Sequence, residues 1–299
     1  MLRQIRRDYL LYVFLIPFLL WYALFIFKPM YGLQIAFKDF LLFRGIADSP
    51  WVGLEHFKVF LGSPYFTRVL VNTLMLSLYS LLFAFPIPIV LALLMNEAKN
   101  VIFRRTVQTF TYLPHFISVV IVAGIATNFL APNNGVINLI MDKLGGSKVY
   151  FLTVPEYFRS IFVLTFDIWK EAGFSSIVYF AALSGINPQL YEAAVIDGAN
   201  KGRQMWHITL PGILPTIMIL LIMKVGHIMD VSYEAIILLY QPVTYETSDV
   251  ISTYTYRAGL QEGHYDLATA IGLFNAAIAF ILVIGANKLS KTFTNTGLW

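Results

Sequence analysis

The stretch Asn187-Pro188-Gln189-Leu190-Tyr191-Glu192-Ala193-Ala194-Val195-Ile196-Asp197-Gly198 is followed ten residues later by Ile208-Thr209-Leu210-Pro211, and the whole lies between two long apolar segments. Asn187 is suited to cap free helix amides, and Pro188 at the first helical position loses no hydrogen bond. The helix runs through Leu190, Glu192, Ala193, Ala194 and Ile196. Gly198 then permits a backbone turn closed to other residues. A second short helix follows through Arg203 and Trp206, and Pro211 suits the first turn of the next long segment. The reading is a helix-turn-helix bracket over 187–211. Its Ala193-Ala194 pair lets another protein approach the backbone closely.

Outward from the bracket the chain is a series of apolar segments. A helix needs about 20 such residues to cross the hydrocarbon core. Six segments qualify: Tyr9 to Phe27, Leu70 to Met95, Phe110 to Leu130, Ser160 to Gly185, Pro211 to about Leu239, and Leu267 to Ala286. Pro86 and Pro88 lie inside the second, where neighbouring helices satisfy the freed carbonyls. Gly124 and Gly272 read as helix packing contacts. The first segment follows Arg3, Arg6 and Arg7, but it is long for a signal peptide and no small-x-small site follows it, so it reads as a retained helix. The expected fold is an all-α integral membrane protein, a single transmembrane domain over 1–299.

Composition agrees. Hydrophobic residues make up 58% of the 299 residues and charged residues only 13%, against about 25% charged in soluble domains. The formal charge of +4 comes from scattered basic residues beside apolar runs, which membrane topology explains and nucleic acid does not. The absence of cysteine excludes disulfides and thiolate metal sites. Orientation follows from Lys and Arg in the short loops. One side carries Arg3, Arg6, Arg7, Lys99, Arg104, Arg105, Lys201, Arg203, Lys288 and Lys291. The other carries Lys38, Arg44, Lys58, Arg68, Lys143, Lys148, Arg159 and Arg257 over considerably more residues. The bias is modest and favours both termini and the bracket in the cytoplasm, and an even number of spans agrees with termini on one side.

The bracket resembles the conserved cytoplasmic loop of ABC-importer permeases: Glu-Ala-Ala, three residues, Gly, nine residues, Ile-x-Leu-Pro, matched at every defined position. Trp51-Val52-Gly53-Leu54-Glu55-His56-Phe57 is similar to the segment before the second helix of maltose-type sugar permeases. Asn72-Thr73-Leu74, Tyr112-Leu113-Pro114 and Thr255-Tyr256-Arg257 are similar to shorter family patterns. The resemblance is closest to permeases that Gram-positive bacteria use for oligosaccharides or polysaccharide fragments. It implies a type I ABC-importer permease fold in the bacterial cell membrane, with a second homologous permease completing the pathway. It also implies two cytoplasmic ATPase subunits that carry ATP and Mg, and an extracellular solute-binding protein. By that resemblance Glu192, Ala193, Ala194, Asp197, Gly198, Ile208, Leu210 and Pro211 couple to the ATPase.

Charged side chains inside the spans are costly, about 2.5–3.5 kcal/mol each, and should face a cavity or a partner. In the fifth segment Lys224, His227, Asp230 and Glu234 recur at helical spacing and fall on one face of a continuous helix. In the fourth, Asp167 is three and four residues from Lys170 and Glu171, within pairing reach on a helix. Lys170 and Lys224 fall at similar depths in the outer half. Trp169, Phe174, Tyr179 and Tyr233 lie nearby and are able to stack on the apolar faces of sugar rings. These residues mark a solute pathway. Structural roles compete: an Asp167–Lys170 ion pair, a His227–Asp230 seal between permease chains, and an outer-loop Glu234.

No enzyme chemistry is visible. The five histidines form no metal-ligand pattern, and neither a G-x-S-x-G elbow nor a Walker A loop is present. An intramembrane aspartyl protease using Asp167 and Asp230 is disfavoured by their basic neighbours. An ion-coupled transporter acting alone, with Lys224, His227, Asp230 and Glu234 as a proton relay, is the alternative, and a sensor without transport is a third reading. The ion-coupled reading leaves the bracket without a purpose, and the sensor reading predicts no water-accessible pathway.

Overall fold

The computed structural model describes residues 9–294, 297 and 298. Arg3, Arg6 and Arg7, on which part of the orientation reading rests, lie outside the described residues. Among the described residues the regular secondary structure is helical, and the only β feature is an isolated bridge between Lys38 and Trp51. Four helices among the described residues are long and apolar enough to cross a membrane, and a fifth joins them if one sharply bent pair is counted as a single span. The principal elements are α1 (Tyr9–Phe37), α2 (Phe66–Glu97), α3 (Val101–Phe116), α4 (Val119–Phe129), α5 (155–184), α6 (Pro188–Ile196), α7 (Lys201–Gly226), α8 (Tyr233–Leu239) and α9 (Tyr265–Thr294). In α1 the side chains of 9–31 are all exposed although nearly all are apolar. A helix apolar on every side with none of it covered is solvated by lipid.

Three expected spans differ from what the structure contains. The third is not one helix: α3 and α4 meet at 105°. Pro114 offers no amide to the ladder, and Ile117 and Ser118 adopt extended backbone angles, after which Ser118 Oγ caps α4 at the Ile121 amide. The fourth is a rod whose middle, Val163–Lys170, is a π-helix that carries Asp167 and Lys170, with Glu171 next to it. Only its Ala172–Ser184 portion is a continuous apolar helix, too short to count as a span alone. The fifth stops at Gly226, thirteen residues early. Over 227–232 the chain is non-helical, and side chains replace the missing ladder. Ser77 Oγ donates to the Ile228 carbonyl, Ser252 Oγ to Val231 (2.8 Å) and Asn275 Nδ2 to Met229 (3.2 Å). The expected sixth span lies within α9. Among the described residues of this chain Gly124 and Gly272 make no packing contact, because a Cβ at either would meet nothing within 4 Å.

The chain divides into two compact units. One comprises Met1–Ser63 and Thr255–Phe274. Its polar centre is Lys38, 3% exposed, whose Nζ donates to the carbonyls of Ile46 (2.5 Å) and Ala47 (3.1 Å) and sits 4.9 Å from the Trp51 ring. His56 Nε2 reaches the Lys38 carbonyl at 2.9 Å and the Asp266 carboxylate at 3.6 Å, which pins this loop to the start of α9.

The other unit comprises Pro64–Tyr254 and Asn275–Trp299 and is organised on α5. The early half of that rod packs with α2, α4 and α8 around Phe158, Phe162, Phe166, Leu76, Val122 and Ile236. The later half packs with α2 and α7 around Tyr179, Leu183, Ala92, Leu93 and Ile213. Where α5 crosses α3, Gly173 lies so close that a Cβ would stand 1.9 Å from the Thr111 carbonyl oxygen. Only glycine fits that crossing.

Candidate coupling bracket and charged cavity

The bracket folds as its residues dictate. Asn187 Oδ1 accepts from the Gln189 amide at 3.0 Å and starts α6. The helix ends in a Schellman motif: the Ala199 amide donates to the Ala194 carbonyl (2.8 Å) and the Gly198 amide to Val195 (3.0 Å). Gly198 has φ +74°, the left-handed conformation that favours glycine, and open space where a Cβ would be. Asn200 Oδ1 then accepts from the Arg203 amide at 2.9 Å and starts α7.

The expected second short helix does not exist as a separate element. α7 runs unbroken from Lys201 to Gly226. It passes Pro211 by widening into a π turn over Met205–Thr209, where the Leu210 amide bonds to Met205. The wider turn relieves the clash between the proline ring and the preceding carbonyls. Ile208 lies in that turn, and Leu210 and Pro211 open the α-helical part of α7. The second arm of the bracket is therefore continuous with a long apolar helix.

Side chains hold the two arms together. The Tyr191 and Thr209 hydroxyls are 3.0 Å apart, and Gln204 Nε2 donates to the Ala199 carbonyl at 2.9 Å. α6 itself buries nothing. Glu192, Ala193 and Asp197 are exposed and Ala194 is half-buried. Leu190, Val195 and Ile196 are exposed as well, Ile196 by 85%. α6 is thus a short helix whose apolar side chains are left uncovered.

The second site is a cavity of about 240 Å³ lined by Asp167, Lys170, Glu171, Lys224, His227 and Asp230, with Ser77, Ser80 and Ser232 in its wall. Six of the charged or titratable residues expected on the pathway thus come together. The geometry differs from a single helix face: Lys224 is in the last turn of α7, His227 caps it, and Asp230 is in the break. Tyr233 and Glu234 begin α8, are exposed, and are not on the cavity wall. The expected pairing of Asp167 with Lys170 is also absent, because Lys170 Nζ is taken by Glu171 Oε1 at 2.5 Å. Asp167 and Lys224 share the cavity wall.

Trp169 points elsewhere, into an apolar groove of about 450 Å³ formed by α4 and α5. A larger cavity of about 510 Å³ shares Asp167, Glu171, Lys224 and His227 with the first and adds Phe174 and Tyr179.

Four participants had no signal in the sequence. His115, at the α3–α4 bend, places Nδ1 2.7 Å from Glu171 Oε2 and stacks on Phe174 with ring centroids 3.9 Å apart. Its carbonyl accepts from Lys170 Nζ at 3.2 Å. Ser77 and Ser80 come from α2, and Asn275 of α9 donates to Asp230 Oδ1 at 3.3 Å. Each is an ordinary polar residue in an apolar run, and only the tertiary fold brings it to the cavity.

A family model described as "Binding-protein-dependent transport system inner membrane component" matches residues 59–291. Protein LplB of Bacillus subtilis (strain 168) is 43% identical over 295 residues, covering 99% of this chain and 92% of that protein. The polygalacturonan/rhamnogalacturonan transport system permease protein YteP of the same organism is 43% identical over 299 residues, covering 100% and 92%. A chain in the crystal structure of a bacterial alginate ABC transporter, in complex with an alginate pentasaccharide-bound periplasmic protein, matches with a TM-score of 0.92 and 51% identity over 100% of this chain and 99% of that chain.

Proposed function

The chain belongs to the family of binding-protein-dependent transport system inner membrane components, and from that premise we propose that it forms half of the pathway of an ATP-driven importer for oligosaccharides or polysaccharide fragments. It has the all-helical type I ABC-importer permease fold and is a multi-pass membrane subunit rather than an enzyme. The carbohydrate reading is supported by the transport system named for YteP and by the alginate transporter that the fold matches.

In this reading the chain is one permease domain of six spans, with the bent α3–α4 pair as the third and α5 as the fourth. Both termini and the bracket face the cytoplasm of a bacterial cell. A second permease completes the pathway, an extracellular binding protein delivers the solute, and two ATPase subunits hold ATP and Mg. The observation that carries the coupling role is the bracket itself: an uncovered α6, closed by Gly198 and continuous with α7. Motion imposed on Glu192, Ala193, Ala194, Asp197 and Gly198 passes through Ile208, Leu210 and Pro211 along one helix. That helix delivers it to Lys224 and His227 at the cavity. Asp167, Lys170, Glu171 and Asp230 complete the pathway wall, and Trp169, Tyr233 and Glu234 lie off it.

The test is uptake by the complete importer in proteoliposomes. Glu192→Lys and Gly198→Asp should abolish ATP-dependent uptake while the chain still inserts and assembles with its partner permease. Full uptake with either variant would remove the coupling role.

A further inference from the structure

The end of α2 meets the start of α7. Lys201 Nζ stands 3.2 Å from Glu97 Oε2, which draws the first turn of α7 towards the short turn at 98–100 that leads into α3. Lys99 lies in that turn and is exposed, and Arg104 and Arg105 follow it near the start of α3. Over 96–105 and 192–207 the cations are Lys99, Arg104, Arg105, Lys201 and Arg203, the carboxylates are Glu97, Glu192 and Asp197, and His207 is the remaining titratable side chain besides them. The excess falls on the α3 side, where Lys99, Arg104 and Arg105 share one carboxylate that Lys201 already engages.

A second feature is independent of charge. The Arg104 guanidinium lies 5.8 Å from the centre of the Phe180 ring on α5, so this side of α3 is docked. The opposite side turns outward and is apolar: Ile102 is 78% exposed and Phe103 61%. Trp206, in the second turn of α7, is exposed as well. The rule that cytoplasmic loops are basic accounts for the sign of these charges, but not for the large apolar side chains left uncovered among them. Cations interleaved with exposed aliphatic and aromatic side chains suit the headgroup layer of a bilayer, where phosphates meet the cations and apolar groups enter the acyl boundary.

Resting on the orientation proposed above, we infer that the α2–α3 turn and the start of α3 form a site for an anionic phospholipid of the inner leaflet. Lys99 and Arg105 hold its phosphate, for which the arginine fork is well shaped. Ile102 and Phe103 enter the acyl region beside it. The Glu97–Lys201 bridge ties this turn to the start of α7, so the bound lipid braces the second arm of the bracket. Uptake therefore depends on the anionic lipid content of the membrane as well as on ATP.

The test uses the complete importer in phosphatidylcholine bilayers that carry a trace of photoactivatable phosphatidylglycerol, or of photoactivatable phosphatidylcholine with the same acyl chains. Cross-linked peptides are mapped by mass spectrometry. Phosphatidylglycerol should label the peptides covering 97–106 more than phosphatidylcholine does, by about fivefold for each engaged cation. High salt should reduce the excess in the unmodified importer. Lys99→Gln with Arg105→Gln, both exposed positions, should remove it. ATP-driven uptake should rise with phosphatidylglycerol content in the unmodified importer and stay flat in the double variant.

Equal labelling by the two lipids, an excess that survives the double variant, or cross-links from this segment to a protein subunit in place of lipid would overturn the site. None of these outcomes touches the transport reading. Full uptake by the Glu192→Lys variant would remove the coupling role and leave the lipid site standing. Labelling only by lipid confined to the outer leaflet would overturn both the site and the orientation on which it rests.

Discussion

The Tyr191 hydroxyl lies 3.0 Å from the Thr209 hydroxyl, and Thr209 in turn donates to the Gln204 carbonyl at 3.3 Å. This pair joins the exposed helix α6 to the π turn of α7. A neutral hydrogen bond of this kind contributes about 1 kcal/mol. Tyr191→Phe should therefore lower ATP-driven uptake by no more than about fivefold and leave membrane insertion unchanged. Uptake rates in proteoliposomes, normalised to inserted chain, measure this. An abolished or wholly unaltered rate would show that the pair does not link the two arms.

Gly173 makes the tightest helix crossing in the α5-centred unit, against the Thr111 carbonyl. The obstructing atom is backbone, so no side chain can move aside. Gly173→Ala should destabilise the protein by about 1–3 kcal/mol, the usual cost of overpacking, and lower its unfolding temperature in detergent. Gly124→Ala, where a Cβ meets open space, should leave it unchanged.

Asp249 is fully buried and accepts from Arg68 Nη2 at 3.1 Å and from Thr253 Oγ1 at 2.9 Å. The same knot includes Asn72, whose Nδ2 donates to the Asp249 carbonyl at 2.9 Å and whose Oδ1 accepts from Arg159 at 2.9 Å. The Arg68 side chain is 33% exposed, so water recovers part of its charge when the carboxylate is removed. Asp249→Ala should cost about 3 kcal/mol, the low end for a broken buried pair. Thermal unfolding of the purified chain reads the loss, and a change below about 1 kcal/mol would count against the knot as a structural anchor.

Glu171 serves His115 and Lys170 at once, and Lys170 is only 11% exposed. Glu171→Gln leaves a largely buried ammonium group without its counter-charge. The double variant Lys170→Met with Glu171→Gln should be more stable than Glu171→Gln alone, a coupling of about 1 kcal/mol or more. A double-mutant cycle on unfolding temperature measures it. Additive losses would mean that the pair is not coupled.

The caps and the turn of the bracket were legible because each is local, whereas the merging of its second arm into α7 was not. Asn187, Pro188, Gly198 and Pro211 each act within a turn of their own position, so spacing alone placed them. The cavity was half legible. The cost of burying Asp167, Lys170 and Lys224 in a span marks them as pathway or partner residues whatever their exact geometry. Their arrangement was not legible, since helical spacing assumes a continuous helix. The fifth segment breaks at His227 because serine and asparagine side chains from distant segments satisfy the freed carbonyls of Ile228, Met229 and Val231. For the same reason Lys170 pairs with its neighbour Glu171 rather than with Asp167: a π-helix does not keep the three-and-four register of an α-helix. The 105° turn after Pro114 left only a proline as a clue, and the Pro86 and Pro88 pair inside α2 shows that a proline alone does not decide such a turn.

The central claim is that α6 is gripped from the cytoplasmic side by an ATPase. The most direct measurement is site-specific cross-linking of Ala193→Cys in the cysteine-free chain, within intact cells that express the whole importer. The account predicts a cross-linked product with the ATPase subunit whose yield changes with bound nucleotide, and no labelling by a membrane-impermeant thiol reagent added outside. Labelling from outside, with no ATPase product in any nucleotide state, would contradict it.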